Sequence, residues 1–247
     1  MPMDKKESKV FRRLEDIIGR ISSIRDREAS VSSPLAFNVC HAKPSDRAFF
    51  QQTLKSIFIS LPIITILCIL GIHYLDIPVA YYCRSLDQNL HSIFDFISRF
   101  GISTWYLGCA FILFLFFKYF YKKPLYSKQA LFILSSIAIA GVLVDILKFV
   151  FGRYRPIMLF ENQLYGFDFF HIDYIMTSFP SGHSSTITAL MLALYFVYPK
   201  HKIVYIIPAL FVMMSRVIIG AHFITDVVFG SYVAVITTIF IKPLFKK

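Results

Sequence analysis

Six apolar stretches dominate the sequence after residue 54 and constrain its fold more than any other feature. They occupy residues 55–75, 101–120, 129–150, 184–199, 202–219 and 227–244. A helix of about 20 apolar residues crosses a hydrocarbon core of about 30 Å, and such a helix satisfies its own backbone hydrogen bonds inside lipid. The mean hydropathy of +0.61 is too high for an ordinary soluble domain. The sequence therefore predicts an all-α, polytopic membrane protein with six transmembrane helices, of which the fourth is the shortest.

The lysine and arginine residues indicate how these helices are oriented. Most of the 26 precede or open the first stretch, lie in or beside the loops after the second and fourth stretches, or lie near the end of the chain. Because basic loops remain in the cytoplasm, we expect both termini there. Two longer segments then belong to the outer face. Residues 76–100 are predicted to form an interfacial helix, and the aromatic residues 157–179 either cover a site or anchor the chain at the interface.

Residues 1–50 are more polar and more basic than the predicted membrane domain at residues 51–247. Apolar side chains recur there at helical spacing, namely Val10, Phe11, Leu14, Ile17, Ile18, Ile21 and Ile24. Such an amphipathic helix can lie on an anionic cytoplasmic leaflet, form a short coiled-coil contact or dock on the membrane domain. A polar linker with Ser and Pro follows from residue 30. We expect no removable signal peptide, since no short apolar run with a cleavage site follows the charged start.

Charge and cysteine content argue against two other classes of protein. The formal charge of +11 is compatible with a nucleic-acid-binding protein, but most basic residues flank apolar stretches, where they set topology. The four cysteines have neither metal-ligand nor disulfide-framework spacing. We therefore predict no nucleic-acid partner and neither a zinc site nor a disulfide framework. No feature of the sequence indicates an obligate protein partner.

Three short polar runs interrupt the apolar sequence, and the predicted topology places all of them on the outer face. They read KFVFGRYRP at residues 148–156, PSGH at residues 180–183 and SRVIIGAHFITD at residues 215–226. A charge at mid-bilayer costs about 2.5–3.5 kcal/mol, so charged residues at the ends of apolar stretches need a compensating role. An anionic ligand supplies one. Arg153, inside the first run, has two interpretations, as a phosphate contact or as a residue facing lipid headgroups.

The cations of these runs suit a phosphate. Lys148, Arg155 and Arg216 together can neutralise a phosphate dianion and the charge that develops on its oxygens during transfer. Ser181 and Gly182 immediately precede the fourth apolar stretch. We expect their backbone N–H groups to point at the same anion from a helix N-terminus.

The histidines and the aspartate are suited to nucleophilic chemistry. His222 and Asp226 are four residues apart, so on one helical turn the carboxylate can accept the proton of one ring nitrogen and leave the other free to attack phosphorus. His183, from another helix, is available as general acid for the leaving group. The set does not resemble a metal cage. Each residue alone is also compatible with interfacial anchoring, so the inference depends on their combination.

That combination resembles the type-2 phosphatidic acid phosphatase superfamily, from about residue 50 to the C-terminus. The family pattern K-x6-RP, PSGH and SR-x5-H-x3-D is matched at Lys148, Arg155 and Pro156, at Pro180 to His183, and at Ser215, Arg216, His222 and Asp226. The resemblance implies a two-step reaction without metal or cofactor, in which His222 attacks phosphorus, Asp226 orients it and His183 protonates the leaving group. It assigns phosphate binding to Lys148, Arg155, Ser181, Gly182 and Arg216.

The six-span layout is similar to that of bacterial inner-membrane lipid phosphatases, which implies a multi-pass protein with a periplasmic active site. The implied substrate is a phosphorylated membrane lipid, such as phosphatidylglycerophosphate, phosphatidic acid, undecaprenyl pyrophosphate or lipid A. Two alternatives stay open at this point. One is a lipid phosphotransferase that uses the same residues, and the other is a non-catalytic lipid-binding membrane protein. The complete histidine and aspartate set argues against the second, since binding alone needs no oriented nucleophile.

Overall fold

A computed structural model of the chain describes residues 44–245, with side chains from residue 49 onward. This part is helical and contains no β-sheet, which confirms the predicted all-α class. Its helices are α1 (Pro44–Tyr74), α2 (Asp76–Arg84), α3 (Gln88–Ser98), α4 (Ser103–Leu115), α5 (Pro124–Phe151), α6 (Pro156–Asn162), α7 (Gly182–Val197), α8 (Lys202–Ile218) and α9 (Ile224–Ile241). The amphipathic helix predicted within residues 1–50 lies outside the described residues, and the domain division at residue 50 stays a prediction.

Four helical stretches of the described chain are long and apolar enough to cross a membrane, as expected for a multi-pass membrane protein. They are Phe49–Tyr74, Gln88–Phe120, Pro124–Phe151 and Ile224–Phe245. The fourth and fifth predicted spans correspond to α7 and α8, which have 16 and 17 residues. At 1.5 Å per residue, 16 residues rise only about 24 Å, less than the hydrocarbon core. The count of six transmembrane helices therefore stays a prediction.

The short helix α7 is the centre of the bundle. It packs against α5, α8 and α9, and none of its residues is exposed. Ala189 of α7 is fully buried together with Ala140 of α5 and Ala234 of α9. Small residues allow this close approach of helices, which drives helix association in lipid. α7 is surrounded by protein rather than lipid. A helix in this position does not need to be long enough to cross the bilayer.

Glycines at two helix contacts bring the polar runs together. Gly152 directly follows α5 and has a left-handed φ of 51°, which suits glycine at a helix C-terminus. The carbonyl of Asp168 occupies the space that a side chain at Gly152 would need. α9 approaches the start of α7 at Gly230, where a Cβ atom would lie 2.5 Å from the carbonyl oxygen of Ser181. The ends of α5, α7 and α9 therefore meet on one side of the bundle.

Residues 76–100, for which we predict one interfacial helix, form two helices instead, and the second belongs to the apolar stretch Gln88–Phe120 that is long enough to cross a membrane. α2 ends at Arg84, and Asp87 caps the start of α3 by accepting a 3.0 Å hydrogen bond from the N–H of Asn89. An aspartate at an N-cap favours a new helix start, which explains the break. Both helices pack on α8. They therefore lie close to the end of α8 that carries the third polar run.

Candidate active site

The structure brings all eight residues singled out in the sequence to the end of the bundle where α5, α7 and α9 meet. They lie at the end of α5 and just after it (Lys148, Arg155), at the start of α7 (Ser181, Gly182, His183), at the end of α8 (Arg216), and around the start of α9 (His222, Asp226). Burial, together with the charges of Arg216, Lys148 and Arg155, lowers the pKa of His183 to about 4. The three runs thus form one cluster of cations around two histidines.

His222 lies in the loop between α8 and α9 and is almost fully buried. Its Nδ1 atom is 2.8 Å from the backbone carbonyl oxygen of Ser178 and 3.6 Å from Oδ2 of Asp226. A carbonyl only accepts hydrogen bonds, so Nδ1 carries the proton and Nε2 keeps its lone pair. Nε2 faces the guanidinium of Arg155, 3.5 Å from Nη1. The imidazole is therefore held with its unprotonated nitrogen toward a cation.

The expected geometry of His222 and Asp226 is wrong in one respect. Their spacing of four residues predicts one helical turn, but α9 begins only at Ile224, so His222 belongs to the preceding loop. The ring consequently uses the Ser178 carbonyl as its near acceptor, and the 3.6 Å separation from Asp226 is too long for a hydrogen bond. Asp226 acts on the ring mainly through its charge. Ser178 was not identifiable from the sequence, since a backbone acceptor can be any residue type.

Burial and the nearby cations keep His222 neutral. Loss of hydration is the main cause that lowers the pKa of His222 to about 3, and the charges of Arg155 and Arg216 act in the same direction. Asp226 opposes this shift. At neutral pH the ring is therefore an uncharged base with a free Nε2 lone pair, which is the form that a nucleophile requires.

Asp226 has no solvent exposure, and each of its carboxylate oxygens has a partner. Oδ1 accepts a 2.5 Å hydrogen bond from Nη1 of Arg153. Oδ2 accepts from the Ser178 hydroxyl at 2.6 Å and from the N–H of Phe223 at 2.9 Å. The carboxylate is therefore fixed on both sides, with Oδ2 turned toward His222.

Arg153 is completely buried, so neither of its two interpretations from the sequence is correct. It forms ion pairs with Asp76 at 2.6 Å and with Asp226 at 2.5 Å, inside a cage of the Tyr165, Phe167 and Phe223 rings. Burial alone lowers the pKa of a guanidinium, but here the two carboxylates raise the pKa of Arg153 above its usual value. Arg153 therefore contacts residues that position the site, and it does not contact the ligand.

Arg155 is held by backbone carbonyls. Its Nε atom donates to the carbonyl of Tyr174 at 2.6 Å, and Nη1 donates to that of Ala221 at 2.8 Å. Its guanidinium also stacks on the Tyr174 ring, 3.8 Å from the ring centre. None of these partners is anionic, so the full positive charge of Arg155 remains available beside Nε2 of His222.

The start of α7 offers one of the two expected N–H groups. Ser181 donates its N–H to the carbonyl of Asp226 at 3.0 Å, so this group is already engaged within the protein. Gly182 begins the helix, where the first N–H groups have no helical acceptor. The Nζ atom of Lys148 lies 3.4 Å from the position that a Cβ atom of Gly182 would take. A glycine thus allows the ammonium to approach the start of the helix.

The end of α3 supports the remaining two residues of the site, which we did not anticipate. Arg216 donates a short hydrogen bond from Nη1 to the hydroxyl of Ser98. His183 packs on Gly101, where an added Cβ atom would lie 2.7 Å from the Cβ and Cδ2 atoms of His183. The outer segment that follows the first span therefore contributes to the geometry of the site.

The aromatic segment at residues 157–179 also belongs to the site. The backbone carbonyls of Tyr174, Thr177 and Ser178 contact Arg155 or His222, while apolar side chains such as Ile172 are exposed. The end of this segment therefore forms one side of the site, while its exposed side chains are suited to interfacial anchoring. That the whole segment covers the site stays a prediction. Within residues 44–245, no group of histidine, cysteine, aspartate or glutamate side chains is arranged to hold a metal ion.

The relatives found by comparison with known proteins include lipid A phosphatases. The model of the PAP2 superfamily matches residues 129–247. A lipid A 1-phosphatase from Rhizobium etli is 31% identical over 159 residues, which cover 59% of this chain and 68% of the relative. A lipid A 4'-phosphatase from Porphyromonas gingivalis is 30% identical over 188 residues, with 66% and 75% covered. The same fold is found in the crystal structure of a transmembrane PAP2-type phosphatidylglycerolphosphate phosphatase from Bacillus subtilis. The TM-score is 0.54 at 20% identity, and the match covers 76% of this chain and 94% of that chain.

Proposed function

Because the chain belongs to the PAP2 superfamily, as its three polar runs predicted, we propose that it is an integral-membrane phosphatase that hydrolyses a phosphate from a lipid headgroup through a phosphohistidine at Nε2 of His222. The single observation that carries this proposal is the 2.8 Å hydrogen bond from Nδ1 of His222 to the Ser178 carbonyl. It leaves Nε2 as the free nitrogen, and that atom faces Arg155.

In the first step, the lone pair of Nε2 forms a bond to phosphorus while the bond from phosphorus to the lipid oxygen breaks. The negative charge of the bound phosphate favours the protonated form of His183, which gives its proton to the departing oxygen so that a neutral hydroxyl leaves. Lys148, Arg155 and Arg216 stabilise the charge that accumulates on the other phosphate oxygens. The product is a phosphohistidine whose ring is cationic, with Asp226 nearby to stabilise that charge.

In the second step, a water molecule gives a proton to the now neutral His183, and its oxygen forms a bond to phosphorus. The bond from phosphorus to Nε2 breaks, and the electron pair returns to His222. Inorganic phosphate leaves, and His183 again carries its proton. His183 therefore acts first as acid and then as base, and the enzyme returns to its starting protonation state after one turnover.

The substrate class is a phosphomonoester or pyrophosphate on a membrane lipid. Two relatives of 30–31% identity are lipid A phosphatases, so a lipid A phosphate is the first substrate to test. Phosphatidylglycerophosphate, phosphatidic acid and undecaprenyl pyrophosphate belong in the same panel. The family resemblance favours a bacterial inner-membrane protein, and the basic loops favour both termini in the cytoplasm and a site that faces the periplasm.

The proposal is tested by measuring inorganic phosphate release from the four lipids by the detergent-purified protein, with and without EDTA. We expect at least one lipid to be hydrolysed, with no loss of rate in EDTA. His222→Ala should abolish release. His171→Ala is the matched control, because His171 pairs with Asp168 at 2.9 Å and not with one of the eight site residues, and it should keep the wild-type rate. Turnover by the His222→Ala variant at the wild-type rate would contradict the proposal.

The same preparation distinguishes hydrolysis from phosphotransfer. With a second, unphosphorylated lipid present as acceptor, a hydrolase releases phosphate in the amount of substrate consumed. A phosphotransferase instead forms phosphorylated acceptor and releases less phosphate than the substrate consumed. Mass spectrometry of the extracted lipids separates the two results.

A further inference from the structure

A buried chain of three charges lies behind His222. Asp76, at the start of α2, pairs with Nη2 of Arg153 at 2.6 Å, and Nη1 of Arg153 pairs with Asp226 at 2.5 Å. None of the three side chains has solvent exposure. Buried ion pairs are costly to assemble, and a hydrophobic replacement is often as stable. A reason other than stability is therefore needed for three buried charges at one place.

The charges do not cancel. One guanidinium faces two carboxylates, so the group keeps one negative charge. The two sides of Arg153 are used differently, since Nη2 also meets the Tyr165 hydroxyl at 3.0 Å, while Nη1 also donates to the Thr225 hydroxyl at 2.8 Å. Asp76 and Asp226 share the excess negative charge. Oδ2 of Asp226 is the carboxylate oxygen of this group that lies nearest to His222.

Asp76 also accepts hydrogen bonds from Thr225. Its Oδ1 accepts a 3.1 Å hydrogen bond from the N–H of Thr225, and Oδ2 accepts from the Thr225 hydroxyl at 2.5 Å. Thr225 directly precedes Asp226, so Asp76 fixes both the position of the first turn of α9 and the charge of its partner Arg153.

From this arrangement we infer that Asp76 is a positioning residue for the nucleophile: by taking one side of Arg153, it leaves the negative charge of Asp226 available to the imidazole of His222. Without Asp76, Arg153 and Asp226 would form a neutral pair. A neutral pair stabilises the cationic ring of the phosphohistidine less than an excess negative charge does. This inference rests on the proposed function, since it concerns the charge that develops on His222 during transfer.

Restoring the charge in a double variant tests this inference. Asp76→Asn removes one negative charge but keeps an oxygen for the N–H of Thr225. It should lower kcat about tenfold, the size of effect seen within one hydrogen-bond network, and change KM little, because Lys148, Arg155 and Arg216 are untouched. Arg153→Gln, combined with Asp76→Asn, removes the positive charge as well and returns the group to one net negative charge. The double variant should therefore be faster than Asp76→Asn alone.

A purely structural role makes the opposite prediction. If the three residues only hold helices together, removing two of them lowers kcat at least as much as removing one, and that result overturns the inference. Tyr165→Phe is the matched control, since it removes a hydrogen bond to Arg153 without changing charge. It should cost much less than Asp76→Asn. The comparison stands even if Arg153→Gln alone does not fold, because it needs only Asp76→Asn and the double variant, each checked by size exclusion in detergent.

The substrate for these measurements is the panel lipid with the highest turnover, and His222→Ala is measured alongside. If no lipid is hydrolysed by the wild type, or if His222→Ala retains activity, the proposed function fails. If the wild type is active and His222→Ala is not, while Asp76→Asn has wild-type kcat, only the inference about Asp76 fails.

Discussion

Nδ1 of His222 lies 2.8 Å from the carbonyl oxygen of Ser178 and 3.6 Å from the carboxylate of Asp226. The backbone of the aromatic segment at residues 157–179 therefore selects the tautomer of the ring, and the carboxylate supplies charge at slightly longer range. This divides between two residues a task that the sequence suggested for Asp226 alone. It also ties the reactive nitrogen to the end of that segment, since movement of Ser178 would release the ring.

Stability should depend on pH through His222. Its pKa is lowered to about 3 in the folded protein, while an unfolded histidine has a pKa of about 6.5. Between these values the unfolded chain binds a proton that the folded chain does not, so stability is fully present above pH 6.5 and is lost as pH falls toward 3. His222→Asn keeps a donor toward Ser178 but does not titrate. We expect the melting temperature of the wild type to fall more steeply than that of His222→Asn between pH 6.5 and 4.5, and parallel curves would disprove this account of the ring.

Gly101→Ala should disturb His183 without changing any polar group. The added Cβ atom would lie 2.7 Å from the Cβ and Cδ2 atoms of His183, so the imidazole must move. A shift of about 1 Å in a catalytic group can cost on the order of 100-fold in rate. The matched control is Gly108→Ala in α4, where an added Cβ atom meets no atom within 4 Å. Phosphate release by the two variants checks the prediction, which is wrong if they are equally active.

Gly230→Ala should destabilise the contact between α7 and α9. Its Cβ atom would lie 2.5 Å from the carbonyl oxygen of Ser181, which is backbone and cannot rotate away. Overpacking of this kind costs about 1–3 kcal/mol. We expect a lower melting temperature and lower activity, because the start of α7 carries Gly182 and His183. Gly141→Ala, which has open space around it, should melt at least as high as the wild type; a similar loss in both variants would show that the contact is not the cause.

The sequence was informative about the site because its chemistry lies in side chains at fixed spacing. Lys148, Arg155, His183 and Arg216 come together at one end of the bundle since each lies at a helix end on the same predicted face. The supporting residues were not predictable in this way. Ser178 acts largely through its backbone carbonyl, which leaves no trace in a sequence. Asp76 is separated from Arg153 by two predicted spans, and only the folded bundle brings them within 2.6 Å.

The helix boundaries were likewise only partly predictable from the sequence. Hydrophobicity predicted the four long apolar helical stretches, because each exposes apolar side chains along much of its length. It could not show that α7 lies in the centre of the bundle, where burial in protein permits 16 residues. Nor could it show the break between α2 and α3, since the N-cap at Asp87 depends on the local backbone and not on periodicity.

The most direct test of the account is the position of phosphate on the enzyme. His183→Ala should slow hydrolysis of the phosphoenzyme, so a brief incubation of this variant with ³²P-labelled lipid, followed by alkaline quench and digestion, should yield phosphohistidine. The account predicts the phosphate at residue 222 and on Nε2, because Nδ1 is occupied by the hydrogen bond to Ser178. The two phosphohistidine isomers are separable by chromatography. Label on Nδ1, or on a residue other than His222, would contradict the account.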